Sequence, residues 1–300
     1  MSILANEQST IKNTSGTTVM ANEEWTEVIQ PQGRLLDLRW RELWRYRDLV
    51  LMFVRRDFVS NYKQTILGPI WFFLQPLLTS FTYLIIFGRA AGLAPGNIPP
   101  MVFYLSGITI WNYFSECLTK TATVFKDNSQ VFGKVYFPRL TMPVSIIISN
   151  LVRFGIQISL FAVIWAYYVF TDPRVQPNIY LLLIPFLVVI MGIMALGLGM
   201  IISAMTTKYK DLIFLLTFGI QLMMFATPVI IPLEKIPAHY QWIIRANPVT
   251  SIVEIFRYAF TGVGKIDWPL LAYSCSFAVI ILILGTIVFN RVERSFTDTV

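Results

Sequence analysis

The sequence predicts an all-α polytopic membrane protein with six transmembrane helices, and three observations carry that. Of its 300 residues 55% are hydrophobic and 14% charged, with a mean hydropathy of +0.61, too apolar for an ordinary soluble domain. Apolar runs recur at about twenty residues, the length that crosses a hydrocarbon layer of roughly 30 Å at about 1.5 Å per residue. The short alternating pattern of a transmembrane barrel is missing.

Residues 1–33 are rich in Asn, Ser, Thr and Glu, close with Pro31 and Gly33, and read as a flexible tail. They contain no apolar core of a signal peptide. Residues 34–66 differ. Leu36, Trp40, Leu43, Trp44 and Arg47 recur at helical spacing, with Arg39, Arg41, Arg45, Arg55 and Arg56 around them. Tryptophan and leucine on one side and arginine around them suit an amphipathic interface helix in the lipid headgroup layer, with packing on another subunit a compatible alternative. Aromatics at that spacing argue against a nucleic-acid arm.

Spans are expected over about 67–87, 101–118, 141–170, 179–206, 211–231 and 268–289, making 67–290 the membrane domain and 291–300 a second tail. Pro76 lies in the middle of the first and predicts a kink there. The third is long enough to tilt and carries Arg153 and Gln157 one turn apart. A charge at that depth faces protein or water, so Arg153 either bonds a neighbouring helix or snorkels, or it meets an anionic substrate group. Gly192, Gly197 and Gly199 in the fourth span read as close-packing positions.

Two connections stand out. The 22-residue interval 119–140 sets Lys120, Lys126, Lys134 and Arg139 against one Asp127. Phe125 and Phe132 lie about two turns apart if a short helix starts or bends at Asn128–Ser129. This suits a surface element on which a cytosolic partner pushes two spans at once; an ordinary cytoplasmic loop is the alternative. The second connection, 232–267, holds Asn247-Pro248 and then a helix of about a dozen residues, too short to span. Glu254 and Arg257 on it can pair at i, i+3. An outer re-entrant hairpin fits, buried in protein or lining a wet cavity. Seventeen of the 24 Lys and Arg residues fall on the side that holds both termini, which places both in the cytoplasm.

Hydrolytic chemistry is not visible. Residues 260–266, FTGVGKI, superficially suggest a phosphate loop, but Ala259 stands where its first glycine belongs and no Ser or Thr follows Lys265. His239 is the single histidine, and Cys117 and Cys275 form no zinc pattern, so no metal site is expected. Acids are missing from the middles of the spans, which disfavours self-powered proton coupling. The driving force is then supplied most simply by a separate ATPase. No loop is long enough for a catalytic domain, which argues against a membrane glycosyltransferase or polymerase.

The residues from Arg55-Arg56-Asp57 to Tyr62-Lys63-Gln64-Thr65, with Leu67-Gly68-Pro69 and Trp71, carry a resemblance. So do Phe137-Pro138-Arg139, Asn247-Pro248 with Phe256-Arg257 and Gly262, and the tail Glu293-Arg294-Ser295-Phe296. Over about 34–300 the chain resembles the permease subunit of ABC-2 type exporters, more narrowly the branch exporting O-antigen and other lipid-linked polysaccharides. The resemblance implies a homodimer with two nucleotide-binding subunits, ATP and Mg bound by that partner, and no cofactor in this chain. It implies that Phe125, Lys126, Asp127, Asn128, Val131 and Phe132 form a coupling helix seated in the ATPase. Trp40 and Trp44, with Arg41, Arg45 and Arg47, would anchor the interface helix near the lipid headgroup. Related permeases export teichoic acid, capsule, lipid or drug, which are the alternatives for the cargo. Separately from the family, Trp71, Phe72, Tyr83, Tyr113 and Phe114, with Arg153 and Gln157, are candidate channel-lining residues. Aromatic faces let sugar rings slide, and lipid contact is the alternative for each.

Overall fold

A computed structural model describes residues 44–62, 66, 68–132, 137–209 and 211–297. The expected tail over 1–33, Trp40 and Arg41 of the expected interface helix, and the side chain of Phe132 lie outside the described residues.

Every regular element among the described residues is helical. Helix α1 covers Arg47–Tyr62. A 3₁₀ turn, Gly68–Ile70, leads into α2, Trp71–Tyr83, which continues as a π-helix over Leu84–Ala90. Then come α3, Pro100–Ala122, the short α4, Val124–Asp127, and α5, Ser129–Phe132. Helix α6 runs over Thr141–Thr171, and α7 over Ile184–Lys208 after a 3₁₀ turn at Ile179–Leu183. Helices α8, Leu212–Phe225, α9, Gln241–Ala246, α10, Pro248–Thr261, and α11, Trp268–Thr297, complete the order.

Four segments are long and apolar enough to cross a membrane: Trp71–Ala90, Thr141–Thr171, Ile179–Lys208 and Trp268–Val292. Of the other two expected spans, α3 has the length, 23 residues, but carries Glu116 and Lys120 and is buried over most of its surface. Helix α8 is shorter than the stretch expected over 211–231. Its 14 residues rise about 21 Å. The chain turns at Ala226 and Thr227, where Asn247 Nδ2 donates to the Ala226 carbonyl (3.1 Å) and to Thr227 Oγ1 (2.8 Å). Pro228 follows and has no N–H with which to continue the helix.

Helix α7 lies at the centre, against α3 and α11. Its glycines set the approach, as expected. A Cβ at Gly197 would stand 2.7 Å from the backbone of Ile281, one at Gly285 would meet the Gly197 carbonyl, and one at Gly199 would lie 2.5 Å from Thr121 Cβ. Backbone meets backbone at Gly197, so no rotamer change relieves a larger side chain. Gly197→Leu is therefore expected to separate α7 from α11 at a cost of about 3 kcal/mol or more, read as loss of monodisperse protein in detergent. Gly219→Leu on α8, where nothing lies within 4 Å, is the control expected to fold normally.

Helix α10 is the most enclosed of the short helices. Val249, Ile252, Val253, Phe256 and Ala259 are fully buried. Asn247 caps it, its side chain accepting from Val249 N at 3.0 Å, and Pro248 occupies the first turn. Gly262 ends it at φ 70°, where only glycine is unstrained. Its C-terminal carbonyls are met from other elements. Asn178 Nδ2 donates to Tyr258 O (3.1 Å) and Trp165 Nε1 to Phe260 O (2.6 Å). The Phe161 and Phe260 rings stand edge to face at 4.7 Å. The expected Glu254–Arg257 ion pair is not made. Arg257 instead donates to the Pro228 carbonyl at 2.8 Å and lies 3.7 Å over the Phe103 ring. That ties α10 to α3 and to the turn after α8.

At the same end of the bundle, the turn between α6 and the following 3₁₀ helix is clasped by Arg174. Its Nη2 lies 2.6 Å from Asp172 Oδ2, and its Nη1 donates to Gly96 O at 3.3 Å. The hydrogen bonds from Arg174 hold the Asp172 carboxyl below the usual carboxylate range.

Candidate functional site

The α3–α6 connection breaks where the sequence predicts a bend. Helix α4 ends at Asp127, Asn128 turns, and α5 begins at Ser129. Asn128 Nδ2 donates to Val124 O (3.1 Å) and Thr123 Oγ1 donates to Asp127 Oδ2 (2.6 Å), so the step is locally fixed. Lys126 and Asp127 are exposed, and Asn128 and Val131 are half-buried. Phe125 points inward. It is 8% exposed and stacks on Phe289 of α11 at 4.6 Å and 20°. The exposed side chains of α4 are therefore polar, Lys126 and Asp127, while Phe125 holds that helix to the bundle.

Helix α1 joins the same cluster. Phe53, 4% exposed, packs on Phe137 with centroids 5.7 Å apart. Arg56 lies 5.0 Å over Phe53, pairs with Asp57 at 2.8 Å, and donates to Asn128 Oδ1 at 3.1 Å. Phe53, Val124, Phe125, Phe137, Met200 and Phe289 form one apolar cluster, distinct from the larger core between α3, α6, α7 and α10. Helix α4 is thus joined to α1, α6, α7 and α11 through packed side chains. At the N-terminal end of α1, Trp44, Arg45 and Arg47 are all exposed, Trp44 at 72%, with Arg47 5.9 Å over the Trp44 ring.

The candidate channel residues divide. Tyr113 and Phe114 are buried within this one chain. Tyr113 packs on Phe154 at 5.3 Å, and a Cβ at Gly192 would stand 2.6 Å from its hydroxyl. They serve the packing of α3 against α6 and α7. Trp71 is exposed, while Phe72, Tyr83 and Gln157 are half-buried. Arg153 is buried at 9%, its Nη1 3.1 Å from Glu116 Oε2 and its guanidinium 5.4 Å over Phe72. Lys120 Nζ shares the same carboxylate oxygen at 3.3 Å.

Among the contacts unseen at the level of sequence are Arg153–Glu116 and Arg56–Asn128. The first carried a usable signal: opposite charges on consecutive spans have few other partners at that depth. The second had none, since nothing in residues 56 and 128 encodes their proximity.

The chain matches the ABC-2 type transporter family over residues 48–261, and it belongs to that family. It is similar to an O-antigen export system permease protein, RfbA, of Klebsiella pneumoniae, at 26% identity over 84% of this chain and 94% of the relative. A permease of the same name from Myxococcus xanthus is 27% identical over 87% of this chain and 98% of the relative. The polysialic acid transport protein KpsM of Escherichia coli is 22% identical over 80% of this chain and 92% of the relative. Family and apolar helices together define a multi-pass transport permease.

Proposed function

We propose that this chain is the channel-forming subunit of an exporter that moves a lipid-linked polysaccharide, O-antigen in type, across the bacterial inner membrane. It works as a homodimer with two copies of a nucleotide-binding partner, which holds ATP and Mg and performs the hydrolysis. The membrane part has six spans, with α3 and the short α8 completing the four apolar ones. Both termini face the cytoplasm, the α1 region lies at the headgroup layer, and α9–α10 form an outer re-entrant hairpin. Polysaccharide export by relatives over nearly their full length supports the cargo class.

The observation that carries this reading is the polar step Lys126–Asp127, exposed on a rigid element that Phe125, Asn128 and Arg56 tie to four longer helices. A docked ATPase needs such a lever, because motion of one short helix then moves the whole cytoplasmic end. The charge reversal Lys126→Glu lies on the surface, leaves the Thr123–Asp127 hydrogen bond in place and is expected to leave the chain inserted and monodisperse. Export should fall about tenfold in cells that depend on this chain, the effect of losing about 1.4 kcal/mol of docking energy. Export unchanged with the partner ATPase present would remove this element from the interface.

A further inference from the structure

We propose that Arg153, Lys120 and Asn150 form a binding site for the phosphate-bearing headgroup of a lipid, with Glu116 as a resident counter-ion that the headgroup displaces. The inference rests on the reading of this chain as a carrier of lipid-linked cargo and names where that cargo's anion is held.

The ordinary function of an intramembrane ion pair is to cancel two charges and satisfy their hydrogen bonds. This cluster does neither. Arg153 offers five N–H donors, yet Nη1 alone is used, on Glu116. Its Nε and Nη2 are buried without a hydrogen-bond partner. Glu116 Oε2 is shared between Arg153 and Lys120, so two cations face one carboxylate. One turn before Arg153, both amide atoms of Asn150 are buried beside the Cys117 thiol without a partner in hydrogen-bond geometry. Excess positive charge and unused donors at one place are what an anion with several acceptor oxygens would satisfy.

Access and depth agree. The Glu116 and Lys120 side chains are 50% and 36% exposed, so the site opens on their side, while Phe72 closes the opposite face of the guanidinium. Glu116 lies six residues before the end of α3, about 9 Å along the axis. That is the inner-leaflet half of the membrane in the orientation proposed above. A phosphate monoester or diphosphate carries more charge than a carboxylate and three or more acceptor oxygens. It can accept from the Arg153 fork and from Lys120 together, releasing Glu116 toward its exposed side.

The test uses the full chain in nanodiscs of phosphatidylcholine, titrated with farnesyl diphosphate, with inorganic pyrophosphate and farnesol as separate arms. Saturable binding of farnesyl diphosphate is expected, weaker binding of pyrophosphate, and none of farnesol. Glu116→Gln removes the resident competitor and should tighten binding roughly tenfold, whereas Arg153→Gln and Lys120→Gln should each weaken it by about that factor. A structural ion pair has no reason to bind more tightly when its carboxylate is neutralised. Glu116→Gln binding no tighter than the unaltered chain overturns the site, even if Arg153→Gln fails to fold. Pyrophosphate binding as tightly as farnesyl diphosphate overturns the assignment to a lipid. The titration needs neither ATPase nor glycan. A chain that exports but fails it sinks the site alone, and one that binds but supports no export sinks the permease reading alone.

Discussion

Phe125→Glu is expected to unfold the end of the bundle around α4 rather than merely weaken contact with a partner. The ring is 8% exposed and stacked on Phe289 at 4.6 Å, inside the cluster that also holds Phe53 and Phe137. Removing a buried phenylalanine forfeits about 1.5–3 kcal/mol of burial. Losing the stack costs roughly 0.5–1.5 kcal/mol more. A carboxylate in its place adds several kcal/mol of desolvation. The total approaches the entire stability of an ordinary domain, about 5–15 kcal/mol. The measurement is the fraction of monodisperse protein after detergent extraction, with Phe125→Leu as the partner experiment. Leucine keeps most of the burial and loses the stack, so it should lower the midpoint of thermal unfolding by a few degrees, consistent with about 1 kcal/mol. If Phe125→Glu stays as stable as the unaltered chain, the ring does not hold this element in place. On the proposed reading the result also separates two functions within α4, with Phe125 positioning the lever and Lys126 and Asp127 presenting it.

That division marks the limit of what the sequence carried. The break at Asn128 was legible, because asparagine competes locally for backbone carbonyls, and it does so with Val124 O. Cap and stop of α10 were legible too, in Asn247-Pro248 and Gly262. The glycines of α7 announced close packing, and they meet Ile281, Gly285 and Thr121. Which face Phe125 turns inward was not legible. A four-residue helix has no pattern long enough to fix its rotation, and its neighbour Phe289 lies far along the chain. The same reason hid the burial of Tyr113 and Phe114. Within a helix expected to span the membrane, hydrophobicity does not distinguish a side chain facing lipid from one facing protein. The early end of α8 escaped notice because Ala226 to Ile231 are apolar apart from Thr227. Pro228 was a usable stop signal, and the hydrogen bonds from Asn247 and Arg257 show that this backbone is turned and not helical.

Arg257→Ala should cost the fold about 2–4 kcal/mol, and the way it does so tests the geometry of α10. Arg257 is 6% exposed, and its guanidinium donates to the Pro228 carbonyl at 2.8 Å and lies 3.7 Å over Phe103. A desolvated cation–π contact contributes about 2 kcal/mol, and a charged hydrogen bond roughly 1.5–3 kcal/mol. Relief from burying a charge offsets part of that. Lysine should not rescue, since an ammonium cannot lie flat on Phe103 while reaching Pro228. Thermal unfolding of the detergent-solubilised chain reads the loss. The sharper measurement pairs it with Gly107→Ala. A Cβ at Gly107 would stand 2.9 Å from Arg257 Nη2 and 3.3 Å from Val229 Cα, so that substitution alone should displace the guanidinium. With Arg257 already shortened to alanine, most of the obstacle is gone, and the second substitution should cost little. The two are therefore expected to be strongly non-additive, with a coupling of about 1 kcal/mol or more. Additive losses would mean that Gly107 and Arg257 act separately, and that the joint between α3, α10 and the turn after α8 is not built around this one side chain.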